Sequence, residues 1–139
     1  MKRFVLDASV ALAWFVDRPT AQYADRIREL LLLGNRAVVP ALWQLEVANG
    51  FIIAERRRVL TSSDTVEALG NLDVVIAQAI EIDQDLVSMR RALHTAREFQ
   101  LTAYDAVYLE TALREELPLA TLDRQLAAAA SKAGVEILS

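Results

Sequence analysis

The chain has no cysteine among its 139 residues, which removes disulfide scaffolds, thiol chemistry and cysteine-ligated zinc and fits a reducing cytosol. It has little glycine or proline, 4 and 3 residues, and 54% of it is hydrophobic, which argues for a compact, helix-rich protein and against a disordered segment. Positive charge is not in excess: the formal net charge is −4, so a nucleic-acid partner must be held by local basic patches or bound cations. No apolar run is long enough to span a bilayer, and Asp7 arrives too early for a signal-peptide core, so a cytoplasmic protein is expected. Neither G-x-x-x-x-G-K-[ST] nor G-x-G-x-x-G occurs, which leaves nucleotide-cofactor readings without support.

What is present reads as one domain over residues 1–139, with no repeat or linker. Short apolar runs at Phe4–Leu6, Ala37–Val39, Ala79–Ile82, Leu119–Thr121 and Val135–Leu138 predict five strands. Between them, helical periodicity predicts helices from Ala8 to Phe15, up to Leu33, through Trp43 and Glu46 to Arg58, and from a Thr61 cap toward Ile76. It continues with helices over Asp83–Gln100, from Thr102 to near Glu116, and after an Asp123 cap. Gly50 falls inside the third of these, at a cost of about 1 kcal/mol relative to alanine. Strands alternating with helices imply an α/β fold with a central parallel sheet of about five short strands flanked by helices.

Four acids punctuate this pattern: Asp7, Glu46, Asp105 and Asp123. Asp7 and Asp123 follow strands, at the edge where open α/β sheets bind ligands, and Asp105 opens a helix that can face the same edge. Each aspartate also reads as a helix-terminal residue: Asp7 and Asp123 as N-caps, and Asp105 as the third position of a capping box with Thr102. Glu46 lies mid-helix, where no end needs a cap, with Asn49 on its face. Acids gathered without cations repel unless a hard cation, a proton or water offsets them. Mg²⁺ and Mn²⁺ take oxygen ligands, and such ions activate water and stabilise the leaving oxygen of a phosphodiester.

Asp7 with Ser9, Glu46 with Asn49, the Tyr104-Asp105-Ala106 element and Thr121-x-Asp123 together resemble the PIN-domain nucleases. The phrases LDASVALAWF, LTAYDAVYLETA and LPLATLDRQL are most similar to VapC-type toxins of toxin–antitoxin modules. The resemblance spans the chain and implies a PIN-like three-layer fold and a Mg²⁺- or Mn²⁺-dependent endoribonuclease acting on RNA. It further implies a homodimer and inhibition by a cognate antitoxin. Asp7, Glu46, Asp105 and Asp123 would be the metal-binding and catalytic quartet, with Asp7 and Asp105 as direct ligands. Ser9, Asn49 and Thr121 would orient carboxylates or water.

Two other readings stay open. One is a PIN-like RNA-processing nuclease without an antitoxin. The other is a non-catalytic α/β interaction module whose acids are caps. Arg56-Arg57-Arg58 and the Arg90, His94, Arg97 stripe read as solvated or dipole-complementing residues, with RNA contact as the alternative. Trp14, Phe15, Trp43 and the run Phe51-Ile52-Ile53 read as core, with part of that run left for a partner surface.

Overall fold

A computed structural model describes all residues, Met1–Ser139. The chain runs β1 (Arg3–Leu6), α1 (Ala8–Val16), α2 (Gln22–Leu32), β2 (Arg36–Val39), α3 (Leu42–Arg56), α4 (Ser62–Ala79), β3 (Ile80–Ile82), α5 (Met89–Phe99), α6 (Ala103–Glu115), β4 (Leu119–Ala120) and α7 (Arg124–Lys132). The strands form one parallel sheet in the order β3-β2-β1-β4, flanked by the seven helices. From β1 the chain steps outward to β2 and β3, then returns to place β4 on the other side of β1. The switch in strand order therefore falls between β1 and β4, the position where open α/β sheets form a crevice at their carboxyl edge.

β1 is central because it is apolar on both faces. Phe4, Val5 and Leu6 are all fully buried, each contributing about 1.5–3 kcal/mol by removal from water. α3 buries Trp43, Val47, Phe51 and Ala54, a stripe at helical spacing, and leaves Glu46, Asn49 and Ile53 off it. α3 also packs closely on α1, and Gly50 permits this: a Cβ there would overlap both methyl groups of Leu12. The helix-propensity cost at Gly50 thus has a packing return, since the close approach draws Glu46 toward the start of α1.

Two expectations from the sequence are corrected. The sheet has four strands, because Val135–Leu138 contributes only a single bridge, Leu119 to Ile137. β4 is two residues long, and the chain beyond it turns into the crevice at Thr121, leaving the terminal segment little to pair with. The helix expected over Asp83–Gln100 begins only at Met89. Asp83 instead extends the sheet, its amide donating to the Val39 carbonyl at 2.8 Å, while the Asp85 amide donates to Asp83 Oδ1 at 3.2 Å. Ser88 is the true N-cap, accepting from the Arg91 amide at 3.2 Å.

Candidate active site

The fold brings Asp7, Glu46, Asp105 and Asp123 around one open cleft of about 290 Å³, with Ser9 and Asn49 also in its wall. Asp7 leaves β1, Glu46 projects from the second turn of α3, Asp105 from the first turn of α6, and Asp123 from the N-cap of α7. Thr121 is buried just behind, between β4 and Asp123.

Asp7 sits at the N-cap position of α1, yet its carboxylate caps nothing. Its Oδ2 accepts from the Ser9 hydroxyl and the Thr121 hydroxyl, both at 2.7 Å. Those hydroxyls are themselves oriented by backbone. The Leu122 amide donates to Ser9 Oγ and the Asp123 amide to Thr121 Oγ1, each at 3.0 Å, so both hydroxyl hydrogens are turned onto Asp7. Oδ1 receives no side-chain donor.

Glu46 Oε1 accepts from the Tyr108 hydroxyl at 2.6 Å. Tyr108 is completely buried and lies one turn past Asp105 on α6, so α6 supplies one acid to the cleft and holds another. Burial and the Glu46 carboxylate push the Tyr108 hydroxyl well above its ordinary range, keeping it a neutral donor. Tyr108 is not among the residues that the sequence pattern singles out. Its three-residue spacing from Asp105 was the available signal.

Asp105 is not bound into a capping box. Thr102 Oγ1 accepts from its amide at 3.1 Å, but the reciprocal bond formed at Thr61–Asp64 in α4 is missing, which leaves its carboxylate to the cleft. Asp123 does cap α7, through Oδ1 and the Leu126 amide at 2.9 Å. Asn49 is exposed, with no hydrogen bond to another side chain.

Crowding of like charge shows in the proton affinities. Burial, followed by the charges of Asp123 and Asp7, raises the Asp105 carboxyl to about 6. Burial pushes Asp7 upward, the Ser9 and Thr121 hydroxyls offset part of this, and Asp123 adds to it. Burial also raises Glu46, against the Tyr108 bond and with the charges of Asp7 and Asp105 behind it. No lysine, arginine or histidine lines the cleft, and none of the four acids is in an ion pair.

A second acidic group makes the contrast plain. Oxygens of Asp83, Asp85 and Glu115 lie within 4.8 Å of one another, closer than any three of the cleft acids come. Arg114 binds all three, so that group already holds its counter-charge. The cleft acids have no basic side chain among them, and an all-oxygen donor set of this kind fits a hard divalent ion.

The PIN domain family matches residues 4–132, and the chain belongs to it. PIN domains are nucleases that generally depend on a divalent metal, and the family implies an RNA substrate. Among solved structures, the crystal structure of PAE2754 from Pyrobaculum aerophilum has the same fold, with a TM-score of 0.67 and 22% identity over 92% of this chain and 84% of that one. No curated protein matches the sequence. No helix is long and apolar enough to cross a membrane.

Proposed function

We propose that the protein is a single-domain, Mg²⁺- or Mn²⁺-dependent endoribonuclease, and that it is the toxin of a type II toxin–antitoxin pair. The observation that carries the nuclease reading is the gathering of Asp7, Glu46, Asp105 and Asp123 in one cleft that no lysine, arginine or histidine lines. These four would hold the divalent ion, with Asp7 and Asp105 in most direct contact. Bound there, it would supply a polarised water and charge neutralisation at the RNA phosphodiester.

The chain's own residues account for the rest. Ser9 and Thr121 fix Asp7 by one oxygen, leaving Oδ1 for the cleft. Tyr108 fixes Glu46 in the same way through Oε1. Asp123 spends Oδ1 on α7 and keeps its other oxygen for the site. Without a cation, burial and the charges of Asp123 and Asp7 raise Asp105 to about 6, a repulsion that a bound divalent ion would relieve. Asn49 is placed to donate to water or to a phosphate oxygen from the rim.

The likeness of LDASVALAWF and LTAYDAVYLETA to VapC-type toxins supports the toxin role, a homodimer and an antitoxin partner, and the early Asp7 and the lack of a long apolar run support a cytoplasmic location. The test is cleavage of end-labelled RNA with Mg²⁺ or Mn²⁺, alongside expression in a growing host. Cleavage to 5′-phosphate products, abolished by EDTA, with growth arrest relieved by Asp7→Asn, supports the proposal. Cleavage without growth arrest keeps the nuclease and removes the toxin. Undiminished cleavage by Asp7→Asn removes the assigned site.

A further inference from the structure

The cleft presents only negative charge, so an RNA strand has to be held by cations outside it. The α3 stripe that lines the cleft, Glu46, Gly50 and Ile53, continues at helical spacing to Arg57, with Arg56 beside it on the Asn49 side. Both arginines are exposed and neither is in an ion pair, whereas Arg3, Arg91 and Arg114 are each bound to a carboxylate. Arg58 follows with φ 60, a left-handed conformation that glycine adopts more cheaply, so the helix end turns sharply while still carrying three arginines in succession.

We propose that Arg56 and Arg57 form a phosphate anchor that holds the RNA backbone beyond the scissile bond and feeds it along α3 into the acid cleft. Glu46 and Arg57 are eleven residues apart, about 16 Å of helix, which is too far for the scissile phosphate and right for one two or three nucleotides along the strand. Guanidinium groups suit this task because their planar donors bind phosphate oxygens in pairs. Contacts of this kind are blind to base identity, so the anchor sets position and affinity while sequence choice resides elsewhere. Arg90 and Arg97 also lack ion pairs, but no residue of α5 lines the cleft.

The proposal rests on reading the cleft as a ribonuclease centre, and binding without turnover separates the two. Fluorescence anisotropy of a labelled single-stranded RNA in EDTA should show Arg56→Ala/Arg57→Ala binding about tenfold more weakly than the wild type. The slope of log affinity against log salt should also fall by about 1.4, as for two lost single-strand phosphate contacts. Arg56→Lys/Arg57→Lys, with equal charge, should recover most of the affinity and the slope, and Arg90→Ala/Arg97→Ala should change neither as much. Unchanged affinity and slope in the alanine variant overturn the anchor even if the wild type cleaves RNA. So does a loss confined to binding of an acidic peptide, or a wild type that binds no RNA. Weakened binding in a wild-type background that cleaves nothing leaves the anchor standing and removes the nuclease.

Discussion

The Tyr108 hydroxyl donates to Glu46 Oε1 at 2.6 Å, joining the buried face of α6 to the one site acid that lies mid-helix. This bond fixes a half-buried carboxylate whose proton affinity burial and the charges of Asp7 and Asp105 raise and the Tyr108 hydroxyl lowers. Tyr108→Phe keeps the ring and removes the donor. RNA cleavage should fall about tenfold while urea unfolding shows a loss of only about 1–2 kcal/mol. Unaltered cleavage at limiting Mg²⁺ would show that Glu46 needs no such support.

Removing charge from the cleft should stabilise the metal-free protein while disabling it. Asp105→Asn relieves repulsion from Asp7 and Asp123. Discounted for partial exposure, the gain at neutral pH is about 1 kcal/mol, or about 3 °C in Tm. Cleavage should drop by at least about a hundredfold. A thermal melt in EDTA, paired with the cleavage assay, reads both; a lower Tm with intact activity contradicts the assignment.

The same groups set a pH dependence of unusual sign. Asp105 has an ordinary value of 3.8 and about 6 in the fold, so between those values the folded state binds more protons. That contribution to stability is complete below 3.8 and lost as pH rises through about 6. Asp7 and Glu46 are shifted the same way. In EDTA the urea midpoint should therefore rise as pH falls from 7 to about 5, with a smaller rise for Asp105→Asn. A midpoint that is flat or falling for the wild type would count against crowding in the cleft.

Arg114 should matter for stability alone. It carries the counter-charge for Asp83, whose side chain is only 6% exposed, and pins the segment before α5. Arg114→Ala leaves that carboxylate buried and unpaired, a loss of about 3 kcal/mol and about 10 °C in Tm. Divalent-ion binding, measured below the new Tm, should be unaffected.

Much of the architecture was legible because the strands are short apolar runs and the helices carry clear stripes. Phe4–Leu6 and Trp43–Ala54 reveal themselves by composition and spacing alone. The failures lie where tertiary contacts overrule local pattern. Asp83–Ser88 has helical periodicity, but pairing with Val39 and the Arg114 ion pair hold it extended. Val135–Leu138 looks like a strand and finds only one bridge. In the site, the four acids could be named from position in the chain. That Asp7 caps nothing, Asp105 half-forms its box and Asp123 truly caps depends on hydroxyl and amide directions that no sequence displays. Tyr108 stayed hidden because a buried aromatic is indistinguishable from core until its hydroxyl is seen to face Glu46.

The central claim is that four cleft acids form one divalent-ion site, and calorimetric titration with Mn²⁺ tests it most directly. Wild-type protein should bind Mn²⁺ with defined stoichiometry. Asp7→Asn and Asp105→Asn should each abolish or severely weaken that binding, and Asp85→Asn, in the arginine-bound group, should leave it intact. Binding that survives both cleft substitutions, or that is lost only with Asp85→Asn, would contradict the account.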